Sequence, residues 1–402
     1  MAVRHQEKTS RPPLVAGTRR SARRRHRARG RRRAIVGLVV LLALLPVLWS
    51  YGSAMLKPSN AGFGVRSVEW LRDNGMAWLV NDVEHGYYSL TAPDKGGKPL
   101  RSLPAVGVAP SSAARAARRS HARQDGTTFR PPPISPIVHP ALAGEGAWRA
   151  TTRGGGDASP VLVTTYRPDP SYPRLIAGVA WIDTHRTRLA LYPGRYEPPS
   201  GGPPGPLEVP LSQRPKLLAT FNSGFKHKDS GGGFVARGHT YAPLLPGAAT
   251  LLEKSNGHVD VRAWPGGTAA ARGVVLARQN LPLIVSSGRA NPNLSDGPEW
   301  GATLGNAIRV WRSGVGVDRH GNLLYAAASD QTVSSLAAIL LRAGARRAME
   351  LDINSEWVSL ITYARANAVD PSNLLPSMRR AATRYLTPDD RDFFAVYRTS
   401  RP

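Results

Sequence analysis

Residues Thr332–Trp357, TVSSLAAILLRAGARRAMELDINSEW, decide how this chain is read. Apolar periodicity predicts a helix over Thr332–Ala343, and Gly344 is its stop signal. From Ala348 the pattern becomes a strand that runs into a polar turn. Side chains alternate along a strand, so Met349 and Leu351 face one side while Glu350 and Asp352 share the other. Two carboxylates on one sheet face repel, which is costly unless a cation, donors or chemistry makes use of them. Glu356 adds a third acid just beyond the strand end. An active site is therefore expected here.

The other end of the chain speaks to location. The first 33 residues hold thirteen Arg or Lys against one acid, Glu7, and so carry twelve of the net charge of +27. Ala34–Leu56 follows, 23 residues without a charge. At about 1.5 Å per residue a helix of that length crosses the ~30 Å hydrocarbon layer. The basic flank sets the N-terminus in the cytoplasm and the remainder outside, in a single-pass cell-membrane topology. A cleaved signal peptide is the alternative, but the basic region is long and no small-x-small cleavage site follows.

The leader thus accounts for nearly half of the basic excess, and Arg, Ala, Gly and Pro richness matches a GC-rich bacterial genome. The densest basic run outside the leader, Arg115–Arg123, falls in a Pro/Gly/Ala/Arg-rich stretch. No nucleic-acid partner is expected. With no cysteine, disulfides, zinc–thiolate sites and thiol nucleophiles are excluded.

Organisation follows from composition. Residues 57–90 read as juxtamembrane amphipathic helices and 91–142 as a linker without fold. Residues 143–402, roughly 260 in number, are ample for a large core. Strands are expected at Val161–Tyr166, Leu175–Ile182, Arg188–Tyr192, Lys216–Phe221, Phe234–Tyr241, Ala249–Glu253, Val259–Ala263, Val274–Arg278, Leu283–Ser286, Ala307–Trp311, Gly314–Val317 and Leu323–Ala327. Asp318–Asn322 reads as a hairpin turn. The fold class is α/β of the mixed α+β kind: a strand-rich mixed sheet with few helices, behind one transmembrane helix.

Three blocks carry a family likeness. Thr220-Phe221-Asn222-Ser223-Gly224-Phe225 is similar to an Asn-Gly-Gly-Phe-Phe block. Trp311-Arg312-Ser313-Gly314-Val315-Gly316-Val317 is similar to an Arg-Thr-Ala-Ile-Gly block, and Thr332–Asp352 to the lead into Leu-Asp-Gly-Gly-Gly-Ser-Ser. In that order and spacing they resemble the phosphodiester glycosidase family, and the anchored arrangement resembles an actinobacterial envelope subgroup of it. The resemblance implies hydrolysis of a sugar-1-phosphodiester. The departure is Ile353-Asn354-Ser355-Glu356 where the family has its glycine run, so backbone amides cannot approach phosphate in the same way.

On this reading Asp352 is the leading catalytic carboxylate, with Glu350 or Glu356 as partner. Arg312 is expected to fork onto the phosphate, Asn222 to donate to sugar or phosphate, and Gly224 to let the backbone turn sharply. Asn354 joins the substrate-binding set. No cofactor is required; a Ca²⁺ or Mg²⁺ site from Glu350, Asp352 and Asn354 is a lesser alternative. His227 is a weak general-acid candidate, and Gly231–Gly233 reads as a hairpin tip. Trp264, Trp300, Trp311 and Trp357 read as core or rim packing, with stacking on a sugar ring as the alternative; Trp300 falls in a polar loop with Asp296 and Glu299. The expected partners are an envelope carbohydrate or glycosyl phosphate and the membrane. A non-catalytic carbohydrate-binding or envelope-organising module on the same fold is the rival reading.

Overall fold

The computed structural model describes residues 18–98, 100–108, 129–153, 159–199, 204–295, 300–301 and 309–399. Arg115–Arg123, Asp296 and Glu299 lie outside the described residues. Three antiparallel sheets dominate. The largest runs, in spatial order, Arg149–Ala150, Val161–Tyr166, Ala177–Ile182, Leu323–Gln331, Val310–Val317, Arg347–Glu350, Leu283–Ser286 and Arg289–Ala290. A second holds His239–Ala242, Phe234–Ala236, Val274–Gln279, Ala249–Lys254 and Val259–Ala263; a third holds Val369–Asn373, Leu360–Arg365, Leu217–Asn222, Phe393–Arg398 and Thr187–Tyr192. The class is the expected mixed α+β one.

Alternation builds two cores on the large sheet. Leu323, Tyr325 and Ala327 point into the core shared with the other two sheets, whereas Leu324, Ala326 and Ala328 point to the opposite face. That opposite face is covered by the helix Val333–Arg342, through Leu336, Ile339 and Leu340. Thr332 caps this helix in a capping box with Ser335, and Gly344 ends it at φ +102°. Ile134, from the stretch read as linker, is buried in the same layer beside Trp148.

Two expected strands, 307–311 and 314–317, belong to one strand, Val310–Val317, with a register shift between Val310 and Arg312. Gly314, within that continuous strand, serves close approach: a Cβ there would stand 2.8 Å from the Met349 carbonyl. Gly232 and Gly233 are likewise buried and not a hairpin tip. Their space is taken by Gln279 and by Pro243 and Leu244.

Before the sheets, one helix covers Thr18–Leu56, and Arg31–Leu56 is long and apolar enough to cross a membrane. A signal sequence meets the same criterion. Helices Phe63–Leu71 and Ala77–Leu90 follow, broken at Asn74 and Gly75.

Glu253 ties two sheets together. Its buried carboxylate accepts from the Leu189 amide at 2.7 Å, with Arg188 Nε 3.5 Å away. Burial pushes its pKa up from 4.5 to about 7, against the opposing effects of the Leu189 amide and Arg188. The protonated form is favoured in the folded state, so its contribution is complete below about pH 4.5 and is lost as pH rises through about 7. Thermal or urea unfolding at pH 5 and pH 8 should differ by on the order of 2–3 kcal/mol from this group. Glu253→Gln is expected to remove most of that difference; an unchanged difference places its origin elsewhere.

Candidate active site

The three sequence blocks do meet. Asn222 ends the strand Leu217–Asn222, and its Nδ2 donates to Ser313 Oγ at 3.1 Å. Ser313 Oγ donates to the Asp352 carbonyl at 3.0 Å and accepts from the Asp352 amide at 3.1 Å. Ser313 N also donates to the Asp352 carbonyl, and Leu351 N to the Ser313 carbonyl. Arg312 Nη1 donates to Glu350 Oε1 at 2.5 Å. The blocks therefore form a buried bracket that fixes where Asp352 emerges.

Only part of that bracket reaches open space. A cavity of about 620 Å³ is lined by Asp352, Ile353, Asn354, Trp357 and Arg391 on one side, with Phe225, Lys226 and Lys228 beside them. Asn222, Arg312, Glu350 and Glu356 do not line it. Asn222 spends both ends internally: Nδ2 also donates to the Ser223 carbonyl, and Oδ1 accepts from Tyr325 and from the Ser359 amide. Arg312 and Glu350 are wholly buried, with Arg312 Nε donating to the Gln331 carbonyl at 3.0 Å. Glu356 stands outward, 3.0 Å from Arg379. Gly224 makes no left-handed turn. It supplies space, because a Cβ would lie 3.0 Å from Asn280 Cγ. Asn280 in turn donates to the Glu350 and Leu351 carbonyls, both at 2.8 Å.

Asp352, two residues past the strand Arg347–Glu350, is the acid of this segment that reaches the cavity. Its Oδ1 accepts the Asn354 amide at 2.9 Å, and its Oδ2 lies 3.4 Å from Arg391 Nη2. Asn354 closes the turn by accepting the Glu356 amide. Burial pushes the Asp352 carboxyl above its ordinary range, and the charge of Arg391 opposes that push. Glu350 is also raised, first by burial; Arg312 counteracts this, and the nearby Asp352 charge adds to it.

Arg391 is the residue that sequence reasoning missed. Its Nη2 donates to the Gly224 carbonyl at 2.9 Å as well as to Asp352, and its Nε is buried with no hydrogen-bond partner. It sits in Asp389-Asp390-Arg391-Asp392, a run that composition alone assigns to solvent. All four are buried, because Asp389 pairs with Arg384, Asp390 with Arg195 and Asp392 with Arg278. Lys226 is also at the cavity, 2.7 Å from Glu69 of the helix Phe63–Leu71.

His227 is buried off the cavity lining, its amide donating to Glu197. Burial, helped by Arg278, drops its pKa to about 3, so near neutrality it holds no proton to give. Trp357 lines the cavity, with the Arg391 guanidinium 5.5 Å from its ring centroid. Trp264 and Trp300 are buried and donate to the carbonyls of Gly267 and Asn293, so they belong to packing. Trp311 is half-buried against the main core. Among the described residues no group of three or more His, Asp or Glu is arranged to hold a metal ion. Glu350 is turned to Arg312 and does not line the cavity that Asp352 and Asn354 line.

No family model and no curated protein matches the chain. Among solved structures, it is similar to the catalytic domain of zebrafish N-acetylglucosamine-1-phosphodiester alpha-N-acetylglucosaminidase, in a form auto-inhibited by its pro-peptide. That match has a TM-score of 0.39 and 14% identity over 60% of this chain and 82% of the other. A hypothetical protein from Synechocystis is similar at TM-score 0.37 and 13% identity, over 65% of this chain and 64% of that one. These likenesses amount to a distant structural relationship.

Proposed function

We propose that this protein is a membrane-anchored hydrolase of sugar-phosphate diesters, with the basic N-terminal tail in the cytoplasm and residues 143–402 forming an extracellular catalytic domain. The observation that carries the reading is the shared cavity of one buried carboxylate, Asp352, and one buried guanidinium, Arg391. A guanidinium that reaches a cavity wall offers forked donors to phosphate oxygens. Lys226, paired with Glu69, stands at the same cavity.

In this mechanism Asp352 faces the anomeric carbon and stabilises the positive charge that develops on the sugar. The bond from that carbon to the phosphate oxygen breaks, its electron pair leaves with the phosphate, and Arg391 and Lys226 bind the leaving group. Water adds to the anomeric carbon and loses its proton to Asp352 or solvent. Phosphate is a good leaving group, so a strong general acid is not required, in keeping with a His227 that is neutral and off the cavity lining.

The test is incubation of the purified full chain with a panel of aryl glycosyl phosphodiesters in ¹⁸O-labelled water. Label is expected in the released sugar and not in the phosphate monoester. Label in the phosphate sinks the glycosidase chemistry, and silence across the panel favours the carbohydrate-binding module. The pH dependence adds a prediction. Because Asp352 must be ionised, the acid limb of kcat/KM should lie above the ordinary aspartate value of 3.8. Arg391→Gln removes the charge that favours ionised Asp352 and should move that limb to still higher pH, alongside a raised KM. A limb that stays in place separates Arg391 from Asp352.

A further inference from the structure

The remaining wall of the cavity comes from the helices that follow the apolar segment. Ala77, Asn81, Glu84 and Tyr88 recur at i, i+4, i+7 and i+11 on the helix Ala77–Leu90, and all four line the cavity that holds Asp352 and Arg391. Asn81 Oδ1 is buried there without a hydrogen-bond partner. Glu84 is held by Arg72 at 2.6 Å.

A different face of the same helix is apolar and uncovered. Leu79, Val83, Tyr87 and Leu90 fall on one stripe, and Val83 and Leu90 are 63% and 90% exposed. A soluble domain has no reason to leave such a stripe open, whereas a helix lying in a lipid interface does. The helix before it, Phe63–Leu71, is tied to the end of the apolar helix. Trp70 packs edge-on against Tyr51 at 5.2 Å and donates to Ser50 Oγ at 3.1 Å. Arg66 Nη2 donates to the carbonyls of Ala54, Met55 and Lys57, which closes the end of the helix Thr18–Leu56. The stripe on Ala77–Leu90 and the segment Arg31–Leu56, none of which is buried, both leave apolar side chains uncovered, one on either side of that tied helix.

We infer that the helix Ala77–Leu90 lies in the outer interface of the bilayer, one face in lipid and the other walling the site, so that the site takes a glycosyl phosphodiester whose second ester is a membrane lipid. A single helix, about 10–12 Å across, then separates the reacting phosphate from the acyl region. A lipid-borne substrate can keep its chain in the bilayer while its sugar phosphate reaches Asp352. This inference rests on the proposed hydrolysis of sugar-phosphate diesters.

The test uses the full chain in lipid nanodiscs. The sequence has no cysteine, so Val83→Cys accepts one environment-sensitive fluorophore, with Ser255→Cys as the exposed control. Quenching by spin-labelled lipid is expected at position 83 and not at 255; equal exposure to water at both overturns the inference. In parallel, a long-chain alkenyl glycosyl phosphodiester in the nanodisc is compared with its phenyl counterpart. The double variant Leu79→Glu, Val83→Glu is expected to lose about tenfold or more on the alkenyl compound and little on the phenyl one, since charge weakens interfacial seating. Equal losses on both make the helix a structural wall only and overturn the substrate class. Turnover of neither compound by the unaltered chain, with the probe at 83 still quenched, overturns the hydrolase reading and the substrate class with it, and leaves the helix's seat in lipid established.

Discussion

Asp352→Asn is expected to lower turnover of a glycosyl phosphodiester by about 10²–10⁴-fold without loss of the fold. The amide is nearly isosteric, so its oxygen still accepts the Asn354 amide that now bonds Oδ1 at 2.9 Å. Arg391 keeps the Gly224 carbonyl and the neighbouring charges of Glu197 and Asp392. Burial already disfavours the ionised carboxyl at this position, so replacing it removes an electrostatic penalty present at neutral pH. The melting temperature should therefore hold or rise as activity falls. Opposite movement of stability and activity marks a group kept for chemistry and not for packing. Full turnover by the variant would move catalysis away from Asp352. A parallel loss of activity and melting temperature would make the residue a strut.

Much of the sheet architecture is legible in the sequence because β-branched runs bounded by Gly and Pro report local preference directly, as at Val161–Tyr166 and Val259–Ala263. Asp318–Asn322 is similarly local: Asp318 Oδ1 accepts the His320 and Asn322 amides, and Gly321 takes φ +80°. Of the cavity lining, the sequence singled out Asp352, Asn354 and Trp357. The geometry of Asp352 depends on a partner 39 positions away, Arg391, within a charged run that reads as solvent until its ion pairs are known. Asn222 shows the converse. A polar residue at a strand end next to Ser-Gly reads as a ligand, yet its four hydrogen bonds all close on Ser223, Ser313, Tyr325 and Ser359. The wall formed by Asn81 and Glu84 was hidden for another reason. Amphipathicity reveals that a helix has two faces, but not which of them meets protein and which meets lipid.

Breaking the Arg312–Glu350 pair should cost about 3–5 kcal/mol of stability, because removing one partner strands the other charge in a dry interior. Both side chains are wholly buried, and the pair joins the central strands Val310–Val317 and Arg347–Glu350, whose register sets Gly314 opposite Glu350. Glu350→Ala and Arg312→Ala are each expected to unfold at clearly lower urea concentration. The double variant Arg312→Met, Glu350→Leu is expected to recover most of the loss, since buried pairs replaced by apolar side chains of similar volume are often neutral or better. That double variant also decides what Arg312 does. As a phosphate ligand, the role its motif implies, its removal would leave a folded protein with a raised KM and little turnover. As the internal strut that its contacts describe, its removal leaves Ser313 still holding the Asp352 backbone, and the folded double variant keeps most of its activity. The second outcome is expected, because the Arg312 guanidinium is engaged with Glu350 and Gln331 and forms no part of the cavity surface.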